Sequence, residues 1–278
     1  MTGNLAVEKK IGFIGCGNMS KAIIAGLVNS GRMAAQQILV FDHKATTNQQ
    51  MHQQFGITPA ENAAQLAAEA DILIGAVKPN VMLPVISDLA PAMKPDALFV
   101  SIAAGITIAT LTSVLGDRRK IVRAMPNTPA LVGEGMTSLT PNAHVSQHEM
   151  QQVQEIFSSF GKAAVVPEYQ IHAVVAASGS APAYLFMLIE AMADGAVLGG
   201  LPRVQAYQFA AQAVKGAAEM VLASDKHPAE LKDMVCSPGG TTIEAVRVLE
   251  EKGFRSAIIE AMQSCMAKSQ AMSRSQGG

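Results

Sequence analysis

The chain has 278 residues, more than one compact domain usually holds, and 49% of them are hydrophobic against 15% charged, which excludes disorder and predicts two units with real cores. A formal net charge of −1, with no basic stripe or aromatic-interleaved basic patch, lacks the electrostatic footprint of a nucleic-acid binder and leaves small metabolites as expected ligands. Before Lys9 there is no long apolar core followed by a small-residue cleavage site, and the most apolar later stretch, residues 181–201, carries Glu190 and Asp194, so a soluble protein without a signal or a membrane span is expected.

The first element is the apolar run Ile11–Ile14, which enters Gly15-Cys16-Gly17-Asn18-Met19-Ser20 and then a helical stretch, residues 21–30. A dinucleotide site begins this way: Gly15 permits a sharp strand-to-helix turn, and Gly17 has no Cβ to hold a pyrophosphate off the backbone. The phosphates then rest on unpaired N–H groups of the helix start. Ser20 stands where the fingerprint has Gly or Ala, and a turn with no ligand would look similar. The second strand, 38–41, ends in Asp42, which could accept from ribose hydroxyls and favour NAD, whereas His43 and Lys44 offer positive charge to a 2′-phosphate.

Further strands are expected at 72–76, 97–101, 121–124, 136–139 and 163–166, with helical patterns at 62–69, 108–115 and 148–160 between them. Alternating βα units with nearly continuous apolar strands predict an α/β, doubly wound Rossmann-type N-terminal domain over residues 1–168. After Pro167 the strand signal disappears. Residues 171–273 read as helices, with Pro202 and Pro228 in first turns and Gly253 as a break. This all-helical C-terminal dimerisation domain, 169–278, is apolar on more than one face, which predicts a homodimer or higher homo-oligomer, the competing reading being that the N-terminal domain covers this surface.

In an open α/β sheet, ligands collect beyond the carboxyl ends of the strands. Ala76-Val77-Lys78-Pro79 offers a cation at that rim, Ser101-Ile102-Ala103-Ala104-Gly105 small residues for a flat ring, and Met125-Pro126-Asn127-Thr128-Pro129 a turn stiffened by two prolines. The helical half contributes Cys236-Ser237-Pro238-Gly239-Gly240-Thr241-Thr242, a bend opening onto a helix, which suits a carboxylate. Each loop is also readable as an ordinary turn, with Thr241 or Thr242 as a plain N-cap. Cys16, Cys236 and Cys265 are odd in number and widely spaced, the pattern of reduced thiols in a cytoplasmic protein, and the six histidines have no metal-ligand spacing, so no metal is expected. Cys16 reads as a small polarizable filler rather than a nucleophile.

Gly12 to Met19, Ala76 to Pro79, Met125 to Pro129, Ser178-Gly179-Ser180-Ala181-Pro182-Ala183-Tyr184 and Ser237 to Thr242, in this order, resemble pyrroline-5-carboxylate reductase, over essentially Lys10 to Lys268. The resemblance implies reduction of the cyclic imine 1-pyrroline-5-carboxylate to L-proline with NAD(P)H, the last step of proline synthesis, and dimers through the helical domain. It implies that Ile14, Gly15, Cys16, Gly17, Asn18 and Met19 hold the pyrophosphate. Ala76, Val77, Lys78, Pro79, Ile102, Ala103 and Ala104 would line the nicotinamide side, and Asn62 would reach the adenosine ribose or its phosphate. Val235, Gly240, Thr241 and Thr242, with Ser237 and Gly239 of the same bend, would surround the substrate. NADP(H) is the preferred cofactor in many members, with NAD(H) accepted.

Hydride transfer to an imine requires a proton at nitrogen, and no Asp, Glu or His in these motifs is an evident acid. Thr242 is therefore the expected catalytic group, hydrogen-bonding the ring nitrogen directly or through water. Two alternatives keep part of the layout. A β-hydroxyacid-dehydrogenase-like enzyme or other imine reductase would share the fold, but the former needs a lysine after the Ser/Gly turn and residues 181–189 contain none. A non-catalytic NADPH-sensing protein would need no carboxylate pocket.

Overall fold

A computed structural model describes residues 9–275. Residues 9–179 together with 265–275 form one compact unit, and residues 180–264 form another.

The first unit opens with β1 (Ile11–Ile14), α1 (Asn18–Asn29), β2 (Ile38–Phe41), α2 (Ala45–Phe55), β3 (Thr58–Pro59), α3 (Ala63–Glu69) and β4 (Ile72–Gly75). It continues through α4 (Pro79–Leu89), β5 (Leu98–Ser101), α5 (Ile108–Leu115), β6 (Lys120–Met125), β7 (Gly135–Pro141), α6 (Gln147–Phe157) and β8 (Gly161–Val165). The strands form one sheet in the order β3-β2-β1-β4-β5-β6-β7-β8, parallel except that β7 runs antiparallel to β6.

Because side chains alternate across a strand, β4 sends Ile72 and Ile74 to one face and Leu73 to the other. The first face packs under α1 and α6, where Ile23, Leu27, Val153 and Phe157 are buried. The second packs under α3, α4 and α5, where Leu66, Met82, Ile86 and Leu111 are buried. Cover on both faces is why these strands read as unbroken apolar runs. The strand order reverses between β1 and β4, which leaves a crevice at their carboxyl ends.

β1 and β2 end where expected, and the ends of the later strands differ from the expected ones by at most two residues, since each ladder extends as far as its neighbour supplies partners. Three elements carry too little sequence signal to be named from it. The two-residue β3 is set only by pairing with β2, α2 buries only Met51, and α4 contains Pro84 in its interior.

After β8 the described chain contains no strand. It runs through α7 (Ile171–Val174), a π turn (Val175–Gly179), α8 (Ala181–Leu198), α9 (Arg203–Ala223), α10 (Pro228–Val235), α11 (Thr241–Glu251) and α12 (Phe254–Ser275). Pro228 is the first residue of α10, whereas Pro202 is the cap before α9. Gly253, at φ +71°, separates α11 from α12. One continuous helical stretch among the described residues, Glu168–Leu198, is long and apolar enough to cross a membrane by length and composition alone. Within unit two, α8 and α9 pack on each other, yet Phe186, Met187, Leu198, Val204 and Phe209 remain exposed.

Candidate nucleotide and carboxylate sites

The loop after β1 is fixed from three sides. Gly15 N–H donates to Phe41 O at 2.9 Å, Ser20 Oγ donates to Gly15 O at 2.6 Å, and Cys16 N–H donates to Asp42 Oδ2 at 3.0 Å. Gly15 has φ +91°, and a Cβ there would lie 2.9 Å from both Ala76 O and Val77 Cγ1, so the turn and the close approach each require glycine. Gly17, by contrast, caps α1 from an exposed position where a Cβ would meet nothing within 4 Å. No side chain caps α1, so its first-turn N–H groups keep their capacity for an anion. This open cradle fits a dinucleotide pyrophosphate.

Backbone bonds bring the neighbouring strand ends together. Ala76 N–H donates to Ile14 O at 2.8 Å, and Ile102 N–H donates to Gly75 O at 3.1 Å. Ile14, Gly15, Asp42, His43 and Val77 line one crevice of about 440 Å³. Lys78 is exposed at the cap position of α4, with Pro79 as its first helical residue. Ala103 is buried and Ile102 and Ala104 half-buried at the end of β5.

Asp42 is engaged by the protein itself. Besides the bond from Cys16, its Oδ1 accepts from Lys44 N–H at 3.0 Å and lies 3.2 Å from His43 Nδ1. Oδ2 thus braces the loop after β1 and Oδ1 the turn after β2, while the side chains of His43 and Lys44 stand exposed. Asn62 caps α3, its Oδ1 accepting from Gln65 N–H at 2.8 Å. Burial, reinforced by the negative charge of Asp42, pushes the Cys16 thiol up to about 12, so it stays protonated and inert at neutral pH.

In the second unit, α10 ends at Val235 and the chain bends so that Gly240 N–H donates to Ser237 O at 3.0 Å, with Gly239 at φ +66°. The cap of α11 is Gly240, which corrects the expectation of Thr241 or Thr242 there: those residues are the first two of the helix. With no side chain accepting from its first turn, α11 presents free N–H capacity beside two hydroxyls. Glu244, the acid of that turn, is paired with Arg247 at 2.7 Å, which offsets its repulsion of an anion. Val235, Ser237, Gly239 and Thr241 are exposed, and Thr242 and Gly240 half-buried. Among the described residues, no three of His, Cys, Asp and Glu gather as metal ligands.

Sequence reading assigns no role to Ser20, Arg123 or Asn127, all of them buried polar groups. Ser20 is marked by its place in the fingerprint. Arg123 reaches Glu168 and Asn127 reaches Ser178, 45 and 51 residues away, where no spacing rule reaches.

Residues 168–272 match the family model described as pyrroline-5-carboxylate reductase dimerisation, and residues 10–105 match that described as NADP oxidoreductase, coenzyme F420-dependent. The chain is 60% identical to a pyrroline-5-carboxylate reductase of Escherichia coli, over 97% of this chain and 100% of that one. The solved structure of a pyrroline-5-carboxylate reductase from Coxiella burnetii superposes with a TM-score of 0.91 at 33% identity, covering 95% of this chain and 98% of the other. A Plasmodium falciparum pyrroline carboxylate reductase solved with NADP bound gives 0.85 at 32%, covering 96% and 98%. A nucleotide-type crevice on a doubly wound sheet, a helical half in which α11 starts at Gly-Gly-Thr-Thr with no side-chain cap, and kinship along nearly the whole length lead to one conclusion: the chain belongs to the pyrroline-5-carboxylate reductase family.

Proposed function

We propose that this protein reduces 1-pyrroline-5-carboxylate to L-proline with NAD(P)H, the closing step of proline biosynthesis. The observation that carries the reading is the start of α11, where Gly239 and Gly240 turn the chain into a helix whose first N–H groups no side chain occupies. Such an end attracts a carboxylate through its N–H groups and its partial positive charge. The Ser237–Thr242 bend then grips the substrate by its acid group, and the half-buried Thr242 hydroxyl hydrogen-bonds the ring nitrogen, directly or through water.

The loops of Ile14 to Met19, Ala76 to Pro79 and Ile102 to Ala104 hold the cofactor, which when bound supplies the hydride that the imine carbon accepts. The residues of this chain place the imine, exclude bulk water and deliver one proton to nitrogen as the C–H bond forms. Val235 covers the ring on its apolar side. Asn62 stands at the adenosine end.

NADP(H) is the preferred cofactor and NAD(H) the weaker one. In support, both oxygens of Asp42 are bonded within the protein, while His43 and Lys44 remain exposed to meet a 2′-phosphate. The working form is a homodimer or a higher homo-oligomer. Three cysteines held in no disulfide, and kinship with a biosynthetic enzyme family, support a cytoplasmic location.

A steady-state assay of NADPH and NADH oxidation with the five-membered imine tests the whole reading. The wild type is expected to turn over the imine with the larger kcat/KM for NADPH. T242A is expected to lose about 10²-fold in kcat with NADPH affinity unchanged, the scale of a positioned proton donor. A wild type inactive on the imine overturns the function, a larger kcat/KM with NADH overturns the preference, and unaltered turnover removes Thr242 from the chemistry.

A further inference from the structure

We propose that Asn127 is a positioning residue for hydride transfer, acting by fastening the π turn Val175–Gly179 to the loop that follows β6. The proposal rests on the reductase reading above. Asn127 sits between Pro126 and Thr128-Pro129 and is 9% exposed. Its Oδ1 accepts from Met136 N–H at 2.9 Å, and its Nδ2 donates toward Ser178, with both the carbonyl oxygen and Oγ at 3.2 Å. The amide orientation is dictated by its partners: a backbone N–H demands the oxygen, and a backbone carbonyl demands the NH₂. An aspartate has no donor for Ser178, and a serine or threonine is too short to span both partners.

The bridge belongs to a set that anchors the whole segment before α8. At its start, Thr140 Oγ1 donates to Val166 O at 2.8 Å. Next, the buried Arg123 of β6 donates to Glu168 Oε1 at 2.9 Å, an oxygen that also accepts from Ile108 N–H at the head of α5. Asn127 closes the set at Ser178, and Met125 Cε lies only 3.1 Å from where a Cβ at Gly179 would be, so the turn is packed onto the strand end without slack. Single π turns are frequent at functional sites, where they re-aim the backbone.

The position of this anchor matters because β6 ends on the same rim as β4 and β5, whose loops are the proposed nicotinamide side. Hydride transfer needs reacting atoms about 3–3.5 Å apart, and a displacement of about 1 Å costs on the order of 10²-fold. Asn127 touches neither cofactor nor substrate in this reading. It holds the rim loop and the π turn in one arrangement.

The test uses N127D, which keeps an oxygen for Met136 N–H but turns a second oxygen toward the Ser178 carbonyl. NADPH titration by fluorescence gives the dissociation constant and the number of competent sites, and turnover of the five-membered imine is then expressed per NADPH site. The expected result is a dissociation constant within about threefold of wild type and turnover per site lower by about tenfold or more. Hydrogen exchange at the amides of residues 178–181 is expected to quicken. Turnover per site within threefold of wild type overturns the proposal, as does a rise in the NADPH dissociation constant matching the loss of turnover. If N127D binds no NADPH, N127Q, which keeps donor and acceptor on a longer stem, is read by the same criteria. A wild type that binds NADPH but leaves the imine unreduced overturns the reductase reading itself, and this inference with it.

Discussion

Two glycines of the first strand and loop show how differently one residue type is used. A Cβ on Gly12 would lie 2.5 Å from Leu66 Cδ2 and 2.9 Å from Ala70 Cβ, so β1 and α3 touch only because nothing is there. A Cβ on Gly17 would meet no protein atom within 4 Å. G17V is therefore expected to melt within a few degrees of wild type while its NADPH dissociation constant, followed by fluorescence titration, rises at least about tenfold as the side chain enters pyrophosphate space. Overpacking at Gly12 instead costs stability, about 1–3 kcal/mol for G12A. Unchanged NADPH affinity in G17V would take this loop out of the cofactor site. The glycine fingerprint is legible in sequence because its geometry is local. Asp42 was ambiguous in sequence because what its oxygens bond, Cys16 and Lys44 N–H, depends on how two loops meet.

At the level of elements, α6 illustrates how capping and charge combine. Ser146 accepts from Glu149 N–H, and Glu149 Oε2 accepts from both the backbone and the hydroxyl of Ser146, a reciprocal capping box. Burial alone would raise the Glu149 carboxyl, but hydrogen bonds from Lys120 on β6 and from Ser146 outweigh it and hold it at about 2 instead of 4.5. A folded-state value below the unfolded one means stability present above pH 4.5 and lost as pH falls toward 2. The difference corresponds to roughly 3 kcal/mol at neutral pH as an upper bound. Urea midpoints of wild type and E149Q are expected to differ clearly at pH 7 and to converge toward pH 2. A gap of equal size at both ends would mean that the carboxylate charge is not what stabilises α6. The strand periodicity could be read in advance, whereas the pairing of Lys120 with Glu149 required the sheet to bring β6 beside α6.

For the molecule as a whole, the helical unit leaves more apolar surface uncovered than a soluble monomer tolerates. Phe186 is 65% exposed, Phe209 67% and Leu222 79%, on helices that already pack against each other within the chain. Together with the match of residues 168–272 to a dimerisation model, this surface supports the proposed association with a second copy of the chain. Light scattering at low micromolar concentration is expected to give a dimer or larger assembly, and F186E to dissociate or unfold it. A wild-type protein that stays monomeric and folded there would reject the assignment. Phe186 also lies in Glu168–Leu198, the stretch long and apolar enough to cross a membrane by length and composition alone.

The sequence by itself determined the βα alternation, the glycine turn of the dinucleotide loop, the helical second half and, through its ordered motifs, the family. Those features follow from near neighbours: hydrophobic period, cap residues and backbone freedom. Only the tertiary structure decided that Asp42 braces the loop after β1, that Gly240 rather than a threonine caps α11, that residues 265–275 belong with the first unit, and that Asn127 reaches Ser178. Each of those outcomes depends on groups far apart in sequence competing for a single hydrogen-bonding or packing partner, and that competition is resolved only when the chain has folded.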